Sequence, residues 1–164
     1  MKRLLSLLVG VPLLLYVLNV FSYRYLKRNV LRRRRWDLNI CCGKTDGGGT
    51  NADIVRHRSD LPNFVKIDDP YDLPFKDDEF GAVLCSHTIE HVEHPERFWR
   101  ELRRVGRDVT LVVPPLWDLS AAFNVLEHRW VFLTLRKEHK HLPPHVRLPL
   151  ARTVQRLFGQ RVHA

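Results

Sequence analysis

The sequence predicts an α/β fold, a shortened doubly wound and mostly parallel sheet, preceded by one transmembrane helix. Two observations carry the sheet. Its strand candidates are near-continuous apolar runs, as in strands buried on both faces, and an amphipathic helix separates two of them in strand, helix, strand order. A third carries the membrane helix: Leu4 to Tyr23 contains no charged residue. About 20 such residues at a rise of about 1.5 Å cross the hydrocarbon core of a bilayer.

The apolar residues of this first segment run all the way round a helix, which argues against a helix lying in the interface. A cleaved signal peptide is the competing reading, since Lys2 and Arg3 precede the apolar stretch. Against it stand the length of the stretch, the poor cleavage site at Val20-Phe21-Ser22 and the basic flank that follows. Residues 1–23 are therefore expected as the membrane helix, 24–35 as a basic juxtamembrane linker and 36–164 as the folded domain.

Charge follows the same division. The 164 residues carry 27 Lys and Arg against 18 Asp and Glu. Nine of the basic groups and none of the acidic ones lie in residues 1–35, which leaves the domain neutral. A neutral domain offers no broad footprint for a phosphate backbone, so nucleic acid is excluded as a partner. The seven basic residues after the helix outweigh the two before it, which places the C-terminal domain on the cytoplasmic side, and Arg32 to Arg35 suit anionic headgroups. Cys41, Cys42 and Cys85 form no disulfide framework, which suits a reducing compartment.

Within the domain, Leu38 to Cys42 is a buried strand stopped by Gly43, with a second stop at Asp46-Gly47-Gly48-Gly49. Asn51 to Val55, Phe64 to Ile67 and Phe80 to Cys85 are the next three strands. Pro95 to Val105 is the best helix. Pro95 suits the first helical position, Phe98, Trp99, Leu102 and Val105 share one face, and Gly106 stands where a helix stops. Val109 to Val113 is a fifth strand, ended by Pro114-Pro115, and Leu148 to Phe158 a closing amphipathic helix with Leu150, Val154 and Leu157 as its buried stripe. About ten residues separate Gly43 from Asp53, and as many Asp53 from Phe64, too few for a helix with its loops. One face of the sheet is thereby left for the membrane helix, the linker or a second copy of the chain to cover.

In open parallel sheets ligands bind at the carboxyl ends of the strands. Those ends carry Cys41, Cys42 and Gly43, then Asp53, then Asp68 and Asp69, then Cys85, Ser86 and His87. Small buried hydrophobes are the plain reading of the cysteines, although Cys41 or Cys42 and Cys85 would end neighbouring strands.

Four blocks in this order resemble the type 11 family of class I S-adenosylmethionine-dependent methyltransferases: Asp69 to Phe75, Asp78 to Val83, Ser86 to Val92, and Pro95 with Phe98, Glu101, Leu102, Arg104 and Val105. Glu127 to Thr134 is similar to the stretch after the fifth strand of that family. The resemblance, over about residues 36–134, implies a Rossmann-like fold, S-adenosyl-L-methionine as cofactor and transfer of its methyl group to an acceptor that the membrane location suggests is lipid-like. It implies a cofactor loop at Asn39, Cys41 and Gly43, where the family's glycine pattern keeps only Gly43 and where Gly47, Gly48 and Gly49 offer a displaced substitute. It further implies Asp53 against the ribose, Asp69 near the adenine amino group, and His87 as cofactor-facing residue and candidate base; no metal is implied.

Two other readings stay open. A relative that has lost the cofactor would serve as a membrane-bound interaction module. His87-Thr88-Ile89-Glu90-His91 also spells H-x-x-E-H, a zinc hydrolase pattern, with His94 or His128 as a third ligand.

Overall fold

The computed structural model describes the backbone of residues 2–160 and the side chains of residues 10–160. The chain opens with helix α1 (Lys2–Val20), continues without a break through a π-helical stretch (Phe21–Leu26) into α2 (Lys27–Arg32), and then enters the sheet. Five strands, β1 (Trp36–Ile40), β2 (Gly48–Asp53), β3 (Phe64–Lys66), β4 (Phe80–Ser86) and β5 (Gly106–Val112), pair in parallel. An antiparallel edge strand, β7 (Glu138–His139), completes the order β3-β2-β1-β4-β5-β7. A two-stranded ribbon of β6 (Trp130–Phe132) and β8 (His145–Arg147) stands apart from it, with the short helices α4 (Leu119–Ala122) and α5 (Ala151–Phe158) alongside.

All five expected parallel strands form, each within a few residues of its expected bounds, and α3 spans Pro95–Val105. Its buried residues Phe98, Leu102 and Val105 close the main core against Leu38, Ile40, Val83 and Leu111. Gly106 ends the helix for a different reason from the one expected. Its φ of −131° is extended, and a Cβ there would lie 2.3 Å from Val83 Cγ2. It is small because β5 starts hard against β4.

No helix lies between β1 and β2 or between β2 and β3. The expected linker covers the sheet face thereby left open. Val30 of α2 and Trp36 pack with Leu84 and Val112 into a second core, and the Trp36 indole donates to Leu31 O. Residues 24–32 of the expected linker are therefore helical and docked, with a bend at 33–35 leading into β1, because their apolar residues have a bare sheet face within reach. Farther up the same helix, Asn19 Nδ2 donates to Asp118 Oδ1 at 3.2 Å and Phe21 packs on Trp117.

Among the described residues no helix is long and apolar enough to cross a membrane. The side chains of residues 1–9, the first part of the expected span, lie outside the described residues. The closing helix also differs from expectation. Leu150 and Leu157 are 74% and 71% exposed, and Ala151 and Gln155 form the buried side. Gln155 Nε2 donates to Val125 O and His128 O, so polar anchoring holds this two-turn helix in place of an apolar stripe.

Candidate functional site

Three backbone kinks build the site. Cys41 just past β1 and His87 just past β4 hold φ at +50° and +55°, and Gly43 follows at +55°. Left-handed backbone costs a non-glycine residue roughly 1–2 kcal/mol, and such strain gathers at functional sites. Since β1 and β4 are neighbours, the two strained residues stand side by side at the carboxyl end of the sheet. The Gly43 N–H donates to Asp53 Oδ2 at 2.8 Å, which ties the turn to the end of β2.

A cavity of about 310 Å³ opens over these kinks. Its floor is Cys41 to Thr45, with Ser86 and His87, and its roof is Tyr23, Arg24, Lys27, Arg28 and Leu31 from the docked helices. Ser86 Oγ and His87 Nε2 are buried with no hydrogen-bond partner among the described residues. Buried polar atoms are nearly always satisfied, so two unsatisfied ones lining one cavity mark a place for a ligand.

His87 is held from three directions. Its Nδ1 lies 3.1 Å from Glu90 Oε1, the Tyr23 ring packs against it at 5.3 Å, and burial together with the nearby Lys137 cation pushes its pKa well down. Burial alone would raise Glu90, but the facing imidazoles, His87 foremost, outweigh it and hold the carboxyl low. The pair is therefore a neutral imidazole beside a carboxylate. Lys137, 7% exposed, donates to Ser22 Oγ at 2.8 Å, and burial takes it down to about 8.

His87 and Tyr23 also line a second cavity of about 380 Å³, whose far side is Asn19, His91, Ser120, Asn124 and His128. One imidazole and one phenol ring thus form the partition between two spaces.

The structure brings Cys41, Gly43 and His87 together at the first cavity. It does not bring Asn39, Asp53 or Asp69 to its lining. Asn39 is buried and donates to Thr45 O, bracing the loop from below. Asp53 has Oδ2 on Gly43 N and Oδ1 on Ile54 N at 2.7 Å, so a ribose hydroxyl would share these oxygens with two backbone donors. Asp69 is exposed and accepts from Tyr71 N across a turn.

Gly47, Gly48 and Gly49 are no substitute for the missing cofactor glycines. They sit at the amino end of β2, where a Cβ at Gly47 would lie 2.7 Å from Asn39 Cβ and one at Gly49 2.5 Å from Asp37 O, while Gly48 serves a left-handed backbone with φ of +90°. The H-x-x-E-H run is no helix either. Residues 87–93 form bends and turns, so His87 and His91 do not stack one helical turn apart. Ser86, which the sequence places at the ligand-binding end of its strand, lines the cavity beside His87. Sequence reasoning missed Ser22, Tyr23 and Lys137 as site residues; the first two belong to the segment assigned to the membrane, and no local pattern marks the third.

The comparison with protein families matches part of this floor, from Lys44 onward, and leaves Cys41, Cys42 and Gly43 outside the match. Residues 44–112 match the methyltransferase domain family. The matched stretch begins just past the first turn of the site, runs through β5 and takes in the four blocks in which the sequence resembles the type 11 family. Among solved structures, a Pyrococcus horikoshii protein aligns over 87% of this chain and 81% of its own, at 17% identity and a TM-score of 0.46. A S-adenosylmethionine-dependent methyltransferase from Aquifex aeolicus aligns over 65% and 78%, at 14% identity and 0.43. A Thermotoga maritima methyltransferase described as a possible histamine N-methyltransferase aligns over 61% of each chain, at 16% identity and 0.41. The present chain spans about three fifths of that last protein's length.

A methyltransferase domain of the matched family implies S-adenosylmethionine, and the first cavity offers groups that suit its methionine end. Gly43 allows backbone approach at the end of β1, Ser86 Oγ and His87 Nε2 await partners, and Lys27 and Arg28 suit a carboxylate. The adenosine end has weaker provision, with Asp53 already engaged and Asp69 outside the lining.

Proposed function

We propose that this chain transfers a methyl group from S-adenosylmethionine to an acceptor held at a membrane surface. The observation that carries this reading is the pair of cavities parted by His87 and Tyr23, one at the carboxyl ends of β1 and β4 and the other beside His128. S-adenosylmethionine supplies an electrophilic methyl group on a sulfonium sulfur. Methyl transfer needs acceptor, carbon and sulfur in line, so a partition open to both spaces is the part of the protein that sets alignment.

His87 has the right state for the partition. Glu90 Oε1 lies 3.1 Å from His87 Nδ1 and favours the proton on that nitrogen, which leaves Nε2 a lone pair for the acceptor's proton. Neutral His87 adds no positive charge beside a sulfonium.

The membrane part rests on exposed apolar surface. Val11, Leu13, Leu14, Tyr16 and Val17 of α1 are each at least half exposed, and a patch of this kind calls for a lipid or protein cover. The described residues of α1 before Asn19 carry this exposed surface, while Leu15 and Leu18 are half-buried. With lipid as the cover, the domain sits against the bilayer with Arg24, Lys27 and Arg28, the roof of the first cavity, at the headgroups on the cytoplasmic side. An acceptor from the lipid phase has the shortest path to such a site.

The test is transfer of tritiated methyl from S-adenosylmethionine into a lipid extract by the detergent-solubilised chain. Label in the organic phase that His87→Gln lowers by more than about tenfold, within the range of a lost general base, supports the reading. Absence of labelled lipid with protein that binds S-adenosylhomocysteine contradicts the lipid acceptor.

A further inference from the structure

His91 and His128 line the far wall of the second cavity, and Glu90, which methyl transfer uses only through its contact with His87, lies buried behind them. Glu90, His91 and His128 each offer one ligand atom, and these atoms all lie within 4.8 Å of one another. Glu90 is wholly buried and His128 is 4% exposed. Glu90 Oε2 and His128 Nδ1 have no hydrogen-bond partner among the described residues. Leaving an ionised carboxylate oxygen and an imidazole nitrogen buried and unpaired is costly, and both costs vanish if one cation sits between them.

The rest of the surroundings agree. His91 Nδ1 lies 2.9 Å from Glu127 O, the arrangement in which a ligating imidazole donates its other N–H to a backbone carbonyl and turns its Nε2 toward a metal. The His91 and His128 rings meet edge to face at 4.7 Å, so their nitrogens converge. Backbone anchors fix the group: the Arg129 and Trp130 N–H groups both donate to Glu90 O, and Gln155 Nε2 donates to His128 O. Two imidazoles and one carboxylate suit a divalent transition metal far better than magnesium or calcium, which prefer all-oxygen shells.

We propose that Glu90, His91 and His128 form a binding site for one divalent transition-metal ion of the zinc type, with its remaining coordination position open to the second cavity. Ligand atoms of a four-coordinate ion stand about 3.3 Å apart, given bonds of about 2.1 Å, so small rotations of the two imidazoles complete the site. Asn124 and Ser120 line the open side. An acceptor with a hydroxyl, thiol or carboxylate would meet the metal there, while His87 remains on the other side of Glu90, at the partition. The site stands on its own residues and does not depend on cofactor binding in the first cavity.

The experiment uses the full chain in detergent, stripped with chelator and titrated with zinc against a chromophoric chelator, then with cobalt(II) followed by absorption. One equivalent of zinc is expected to bind, with affinity lowered more than about 100-fold in His91→Gln and in His128→Gln, beyond the usual effect of losing an outer partner. His94→Gln, whose ring packs on Tyr71, is expected to leave affinity unchanged. In His128→Cys, cobalt should produce a thiolate charge-transfer band in the near ultraviolet, a positive signal that only coordination at this position gives. Folded wild-type protein that binds no stoichiometric zinc overturns the proposal. Binding that survives both glutamine variants, or a His128→Cys protein that takes up cobalt with no thiolate band, overturns it equally.

Discussion

Lys137 shows most clearly how single residues are set in this site. It is buried beside Ser22, with Glu90, Asp118 and Lys27 as the charged groups acting on it, and burial dominates, taking it from its ordinary 10.5 to about 8. A lysine depressed on folding leaves the unfolded chain holding more protons between these two values. Its destabilising effect, roughly 3 kcal/mol, is therefore fully present below pH 8 and fades as pH rises to about 10.5. Lys137→Met is expected to melt higher than wild type at pH 7, with the gap closing over that window; melting curves that keep a constant gap from pH 7 to 10.5 would contradict it. The sequence concealed this residue, since burial of a lone lysine depends on a helix 115 positions away. His87 was legible because it follows an apolar strand, but its neutrality was not, being set by its enclosure and by the Lys137 cation against the opposing pull of Glu90. The thiols follow the same rule. Burial first, and then the Asp53 charge, take Cys42 up to about 12, and no disulfide links the three cysteines, as their plain reading as small hydrophobes expects.

At the scale of elements, apolar runs and one amphipathic face were enough to place five strands and α3, because each is decided by its own residues. The sheet order also leaves a mark on single positions. Gly106→Ala would drive a Cβ onto Val83 between β4 and β5, and overpacking of this kind costs about 1–3 kcal/mol. A loss of that size in urea denaturation is expected, and an unchanged midpoint would contradict the packing described. Elements whose shape is set by distant partners were not legible. The run 24–35 looked like a charged tether because its arginines dominate it, yet Val30, Leu31 and Trp36 use the bare sheet face left by the missing helices. The closing helix misled for the reverse reason: its leucines keep the expected spacing, but Gln155, bonded to two carbonyls, decides which side is buried.

For the whole molecule, the helix that precedes the domain is also part of its site. Tyr23 stands on His87, Lys27 and Arg28 roof the first cavity, and Asn19 reaches Asp118 beside the second, so both cavities are complete only with the helix in place. The same docking explains how a domain without its first two covering helices keeps a closed core. The central claim is that the cavity over Cys41, Gly43, Ser86 and His87 takes S-adenosylmethionine. Calorimetric titration of the full detergent-solubilised chain with S-adenosylhomocysteine tests it most directly, alongside Ser86→Phe, which fills the cavity floor. One-to-one binding in the micromolar range, lost in Ser86→Phe with its circular dichroism unchanged, is the predicted result; no binding heat from the folded wild type, or equal binding by the filled variant, would contradict the account.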